Sequence, residues 1–210
     1  MKTNERDVIC DLINSGDIFI DVGANGGLFT RLVNQKCNGN VEIHSFEPHP
    51  VQYGKLEQNN QNNNNVTCYN VAVTDVSGVV ELWYEPNDMV NHYGASTIMT
   101  ELAVPRRLSD RLESVEVKAI TLDSLQLRPN LIKVDAEGAE SNIFRGAERT
   151  IKDCHPTIVF EYGISVREDF HPESVNILRE YGYKFFWNIE DHCVFQDDTE
   201  FCNILAKYED

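Results

Sequence analysis

Basic residues are scarce in this chain: 18 Lys and Arg stand against 34 Asp and Glu, a formal charge of −16. That excess repels phosphate backbones and anionic lipid, so no nucleic acid is expected as a partner. The densest basic cluster, Arg106, Arg107 and Arg111, is interrupted by Asp110 and followed by Glu113. No run of 18 apolar residues is present, and the charged segment 1–11 lacks the apolar core of a signal peptide, so no membrane insertion is expected. The six cysteines (Cys10, Cys37, Cys68, Cys154, Cys193 and Cys202) form no CxxC pair, and no His follows them at zinc-ligand spacing. They read as reduced packing residues of a cytoplasmic protein. Repeats and Pro/Gly/Ser linkers are also missing, so residues 1–210 read as a single domain. The hydrophobic fraction of 41% suffices for its core without metal or disulfide staples.

What is present alternates. Residues 17–22 form a short apolar run ending at Gly23, which suits a buried parallel strand. Leu28, Phe29, Leu32 and Val33 then share one helical face. Strands are predicted at 41–46, 66–73, 130–135, 157–161, 183–187 and 201–206, and helices at 51–56, 137–150 and 173–181. The Gln/Asn tract 58–65 is too polar to pack and reads as a surface loop. Two further strands, 79–84 and 115–119, flank an irregular stretch, 85–114, long enough to be a lid or specificity element. Repeated βα units imply an α/β, Rossmann-like, doubly wound and mainly parallel seven-stranded sheet, with an extra β insertion at about 79–119 near the acceptor site.

Ligands of such sheets bind beyond the carboxyl ends of the strands. Those ends carry Asp21 through Gly27, Glu47, Ala72, Asp135 and Glu161. The turn Asp21-Val22-Gly23-Ala24-Asn25-Gly26-Gly27 permits close backbone approach, yet Asn25 breaks the G-x-G-x-x-G spacing of a dinucleotide site. Asp21 also sets a carboxylate where a pyrophosphate would lie, which favours a cationic or zwitterionic ligand. Glu47, before Pro48, is placed to accept from both hydroxyls of a ribose. A ribose-bearing ligand with an amine and a sulfonium, S-adenosyl-L-methionine, satisfies both ends.

Four blocks occur in order: 21–27, Ser45-Phe46-Glu47-Pro48, Ile120-Thr121-Leu122-Asp123-Ser124-Leu125, and Ile132-Lys133-Val134-Asp135-Ala136-Glu137-Gly138-Ala139-Glu140. Together they resemble the FkbM family of class I methyltransferases, many of which O-methylate sugars or other hydroxylated small molecules. The resemblance covers roughly residues 17–163 and implies the class I methyltransferase fold. It also implies cofactor contacts at Asp21, Gly23, Asn25 and Glu47, with Ala24, Gly26 and Pro48 beside them. Asn70, Val71, Ala72 and Val73 would line the adenine, and Ser96 and Thr97 the methionine moiety.

Asp135 and Glu161 end neighbouring strands and so converge. They are candidates for the general base, for orienting a sugar, or for holding Mg²⁺ or Ca²⁺, although two residues make a thin coordination set. Either also reads as a partner of nearby backbone donors. Glu137 and Glu140 suit a helix start, and Asp123 a helix cap. His155, just before the Glu161 strand, joins His49 and His92 as an alternative base. His44, inside a strand, reads as structural. Trp83, Tyr84 and Tyr93 offer a stacking surface, or core. The expected function is S-adenosylmethionine-dependent O-methylation of a sugar or glycan hydroxyl, with a small-molecule or glycan acceptor and a homodimer left open. A nucleotide-dependent oxidoreductase and a non-catalytic cofactor-binding module remain the alternatives.

Overall fold

The computed structural model describes residues 4–84, 96–98, 113–163, 173–197, 199 and 202–209. His92, Tyr93, His171 and most of the expected lid 85–114 lie outside them. Eleven strands are seen among the described residues: β1 (Ile18–Val22), β2 (Glu42–Phe46), β3 (Val66–Tyr69), β4 (Ala72–Val73), β5 (Gly78–Tyr84), β6 (Glu113–Ile120), β7 (Leu131–Val134), β8 (Thr157–Tyr162), β9 (Tyr183–Asn188), β10 (Cys193–Val194) and β11 (Cys202–Tyr208). The main sheet runs β10-β9-β11-β8-β7-β1-β2-β3. Its β8-β7-β1-β2-β3 half is parallel, and β11 lies antiparallel to both β8 and β9. The two-residue β10 makes eight strands where seven were expected.

Residues alternate between the faces of this sheet. Phe19, Ile43 and Leu131 pack with Ile9 and Val33 from helices α1 (Glu5–Leu12) and α2 (Leu28–Lys36). Ile20, Val22, Ile132 and Val134 pack on the other face with Ile143, Phe144, Ile151 and Leu178. Those come from α4 (Glu140–Arg145), α5 (Glu148–Cys154) and α6 (Ser174–Glu180), while α3 (Pro50–Asn60) follows β2. The strand order reverses at β1, so the crevice opens where β1, β2, β7 and β8 end.

Three expectations change. The strand 66–73 divides, because Asn70 breaks it: β3 stays in the main sheet and β4 joins a small β4-β6-β5 sheet. The helix 137–150 becomes a turn followed by two short helices. The polar tract is not all loop. Asn60 is buried at the end of α3, Asn59 Nδ2 donates to the Gly26 carbonyl at 2.9 Å, and Asn65 Nδ2 donates to Asn34 Oδ1 and the Val41 carbonyl at 2.8 Å each. Amide side chains succeed there because each finds a backbone or amide partner.

Candidate active site

The turn after β1 is fixed by two glycines. Gly23 has φ 75°, and a Cβ on it would lie 1.8 Å from the Asp135 carbonyl oxygen, so the turn runs directly against the end of β7. Gly27 has φ 81°, and a Cβ there would meet Leu56 of α3 at 2.8 Å. The Gly23 and Ala24 amides both donate to the Phe46 carbonyl at 3.0 Å, pinning the turn to the end of β2.

Glu47 stands beside it, 5% exposed. Oε2 accepts from the Asn25 amide and Oε1 from the His49 amide, each at 2.8 Å. Burial raises its carboxyl to about 7, against the lowering effect of those two amides. Each oxygen keeps acceptor capacity for one more donor. Asn70 Nδ2 donates to the Glu47 and Pro48 carbonyls at 2.9 and 3.0 Å, so the residue that interrupts the third strand also secures this one.

Glu47 opens into a cleft of about 200 Å³. Of the expected cofactor residues, Gly23, Asn25, Pro48, Val71, Ala72 and Ser96 line it. Asp135 and Glu161 close its other end. Ala24 and Gly26 border a neighbouring cleft instead, with Phe29, Arg31 and Lys133.

Asp21 is not in the cleft wall. It points with Phe19 toward α2 and is fully buried; Oδ2 accepts from the Thr30 hydroxyl at 2.9 Å, and Oδ1 lies 4.0 Å from Lys133 Nζ. Burial pushes its carboxyl above the ordinary range, against Lys133 and Thr30. The contact with a cationic ligand expected of Asp21 is therefore replaced by an internal cation. Sequence reading gave Lys133 no role, although a lysine inside a fully buried strand is itself a signal that a counter-ion is near.

The carboxyl ends of β7 and β8 are in register at Val134 and Phe160, so Asp135 and Glu161 follow side by side. Lys133 Nζ donates to Asp135 Oδ2 at 3.2 Å. Glu161 differs: burial, then the charges of Asp135, Glu137 and Glu140, push its carboxyl up to about 9. Its ionised form is thereby disfavoured, beside the part-exposed Asp135. Among the described residues no three His, Cys, Asp or Glu side chains form a metal-binding group.

Glu140 is buried, and Oε1 accepts from the Ala136 amide at 2.9 Å, so it builds the loop after β7. Glu137 lines the cleft with φ 52°. Asp123 is a cap, though of a distant helix: it accepts from the Arg149 and Thr150 amides at the start of α5, at 3.0 and 2.8 Å. His44 is buried between Tyr69 OH at 3.0 Å and Glu42 Oε1 at 2.8 Å. His155 corrects a candidate. It is exposed, stacks on Tyr208 with ring centroids 3.6 Å apart, and sits before the first residue of β8. The four strand steps from Thr157 to Glu161 span about 13 Å, and His155 lies before Thr157. His49 packs edge-on against Tyr84 at 4.7 Å, beside the Glu47 turn and outside the cleft wall.

The strand order, the glycine turn and the acid ending β2 define a class I methyltransferase fold. Residues 21–185 match the methyltransferase FkbM domain, and the chain belongs to that family. It is 26% identical over 159 residues to the hexuronic acid methyltransferase AglP of Haloferax volcanii, covering 74% of this chain and 61% of that protein. It is 25% identical over 163 residues to the 31-O-demethyl-FK506 methyltransferase FkbM of Streptomyces tacrolimicus, covering 65% and 61%. The chain thus spans about three-fifths of the length of these relatives. The crystal structure of methyltransferase FkbM from Methylobacillus flagellatus superposes with a TM-score of 0.59 at 15% identity, covering 93% of this chain and 44% of that one.

Proposed function

We propose that this chain is an S-adenosylmethionine-dependent O-methyltransferase acting on a hydroxyl of a sugar or glycan in the cytoplasm. The position of Glu47 carries this reading. Its two oxygens are already oriented by the Asn25 and His49 amides, and each retains a site for one ribose hydroxyl. Phe46, Val71, Val73 and Leu82 give the same cleft an apolar wall suited to an adenine. Asp135, Glu137 and Glu161, lining the same cleft, oppose a pyrophosphate. When bound, S-adenosylmethionine supplies a methyl group already activated on a sulfonium. The six unpaired cysteines support a reducing compartment.

The work left to the chain is alignment and one proton. Asp135, charge-paired through Oδ2, accepts the acceptor's hydroxyl proton on Oδ1 as the new bond forms. Glu161, protonated, donates a hydrogen bond to a sugar oxygen beside it. The names of the relatives support a hydroxylated acceptor, a hexuronic acid in one case and 31-O-demethyl-FK506 in the other.

The test is release of S-adenosylhomocysteine across uronic acids, neutral hexoses and glycans. Release that depends on a sugar supports the proposal. Cofactor binding without release on any acceptor favours the non-catalytic module, and binding of NAD in its place favours the oxidoreductase.

A further inference from the structure

A lysine and an aspartate lie fully buried side by side under the site, and neither reaches the cofactor cleft. Asp21 on β1 pairs in register with Lys133 on β7, 0% and 1% exposed. Lys133 Nζ lies over the Phe29 ring at 4.6 Å, 4.0 Å from Asp21 Oδ1 and 3.2 Å from Asp135 Oδ2. Asp135 is the member that emerges, its side chain 42% exposed. Asp21 is braced in turn: Thr30 donates to Oδ2 at 2.9 Å, and the Thr30 and Ser45 hydroxyls lie 2.7 Å apart.

We infer that Lys133 is a positioning residue for methyl transfer: it grips Asp135 by Oδ2 so that Oδ1 faces the acceptor, and Asp21 is the buried counter-ion that keeps Lys133 in place. This rests on the proposed function, because it presumes that Asp135 takes the acceptor's proton. One carboxylate would balance the charge of a buried lysine, and a second, with Asp21 Oδ1 at 4.0 Å and Asp135 Oδ2 at 3.2 Å, restricts its direction as well. Glu5, on the first turn of α1, also faces this group, and burial raises its carboxyl to about 7. The arrangement explains why an acid ends β1 without lining the cleft. A hydroxyl-bearing acceptor needs its base within hydrogen-bond reach, and a flexible, part-exposed Asp135 would sample several rotamers without the grip.

Removing Lys133 alone leaves Asp21 charged and unpaired in the core, so the discriminating protein is the double variant Lys133→Met/Asp21→Asn, which removes both charges together. Calorimetry with S-adenosylhomocysteine gives the cofactor Kd. Turnover is measured with whichever uronic acid or hexose the wild-type protein methylates, and the variant's crystal structure reports the Asp135 rotamer. Expected are a Kd within threefold of wild type, an acceptor KM within threefold, a kcat at least tenfold lower and a displaced Asp135 side chain. Lys133→Arg in the otherwise native chain should restore part of the kcat. A double variant with wild-type kcat and an unmoved Asp135 overturns the inference alone. A Kd raised more than tenfold assigns the pair to the cofactor and also overturns it. Wild-type protein that binds no S-adenosylhomocysteine overturns the functional reading beneath it.

Discussion

Two glutamates stand at strand ends of one sheet, Glu47 buried and Glu161 half-buried, and they are built in opposite ways. Glu47, after β2, has both oxygens held by backbone amides. Glu161, on β8, faces Asp135, Glu137 and Glu140. Burial raises both carboxyls, to about 7 and about 9. Among the described residues, backbone donors that stabilise the charge are seen at Glu47. The end proposed for the cofactor is thus a carboxylate shaped by the backbone, with acceptor capacity left for hydroxyl donors. The end proposed for the acceptor is a cluster of acids in which burial and neighbouring charges disfavour full ionisation.

The largest expected effect separates the two ends. Asp135→Asn should lower kcat/KM by roughly 10²–10⁴-fold while leaving cofactor affinity within about threefold, under ~1 kcal/mol. Steady-state kinetics and calorimetry on one preparation check both. Full turnover in this variant would break the division between a binding end and a reacting end.

A smaller effect sharpens the electrostatic contrast. A carboxyl raised in the folded state makes the folded protein bind the extra proton, so its contribution is complete below about 4.5 and is lost as pH rises toward the folded value. For Glu161 that window extends to about 9, and for Glu47 to about 7. Ligand-free protein should therefore lose stability to urea between pH 5 and 9. Glu161→Gln should flatten the upper part of the curve and be more stable than wild type at pH 8, by about 1 kcal/mol or more. Glu47→Gln should show no such gain, since the new amide group opposes a backbone N–H that the carboxylate accepted. Parallel curves for wild type and Glu161→Gln would contradict the contrast.

The smallest effect is a control at the wrong end of β8. His155→Ala should leave kcat/KM within twofold and cost about 0.5–1.5 kcal/mol of stability through the lost Tyr208 stack, read as a lowered Tm. A tenfold loss of activity would return His155 to the site.

That histidine also marks where the sequence stopped being informative. Glu47 was legible because local features locate it: a short apolar run, a following proline and a glycine turn upstream, all obeying the rule that strand ends hold the ligand. His155 was misplaced because nearness in sequence to a site strand says nothing about which end of the strand a residue joins. The role of Asp21 was hidden for a related reason. Its partner lies 112 residues away, and only the β1–β7 register brings Lys133 opposite it. The Gln/Asn tract was misread because its amides are satisfied by Gly26, Asn34 and Val41, partners that no local pattern reveals. Local backbone chemistry was readable; pairing across the sheet was not.

The most direct measurement compares S-adenosylhomocysteine binding by calorimetry in wild type and in Glu47→Gln, with NAD titrated as a second ligand. A charge-assisted hydrogen bond contributes about 1.5–3 kcal/mol, so losing one should weaken the Kd by at least about tenfold. Expected are one-to-one binding to the wild type, that loss in the variant, and no heat from NAD in either protein. Equal affinities in the two proteins, or NAD binding that displaces S-adenosylhomocysteine, would contradict Glu47 as the ribose acceptor of a methyltransferase site.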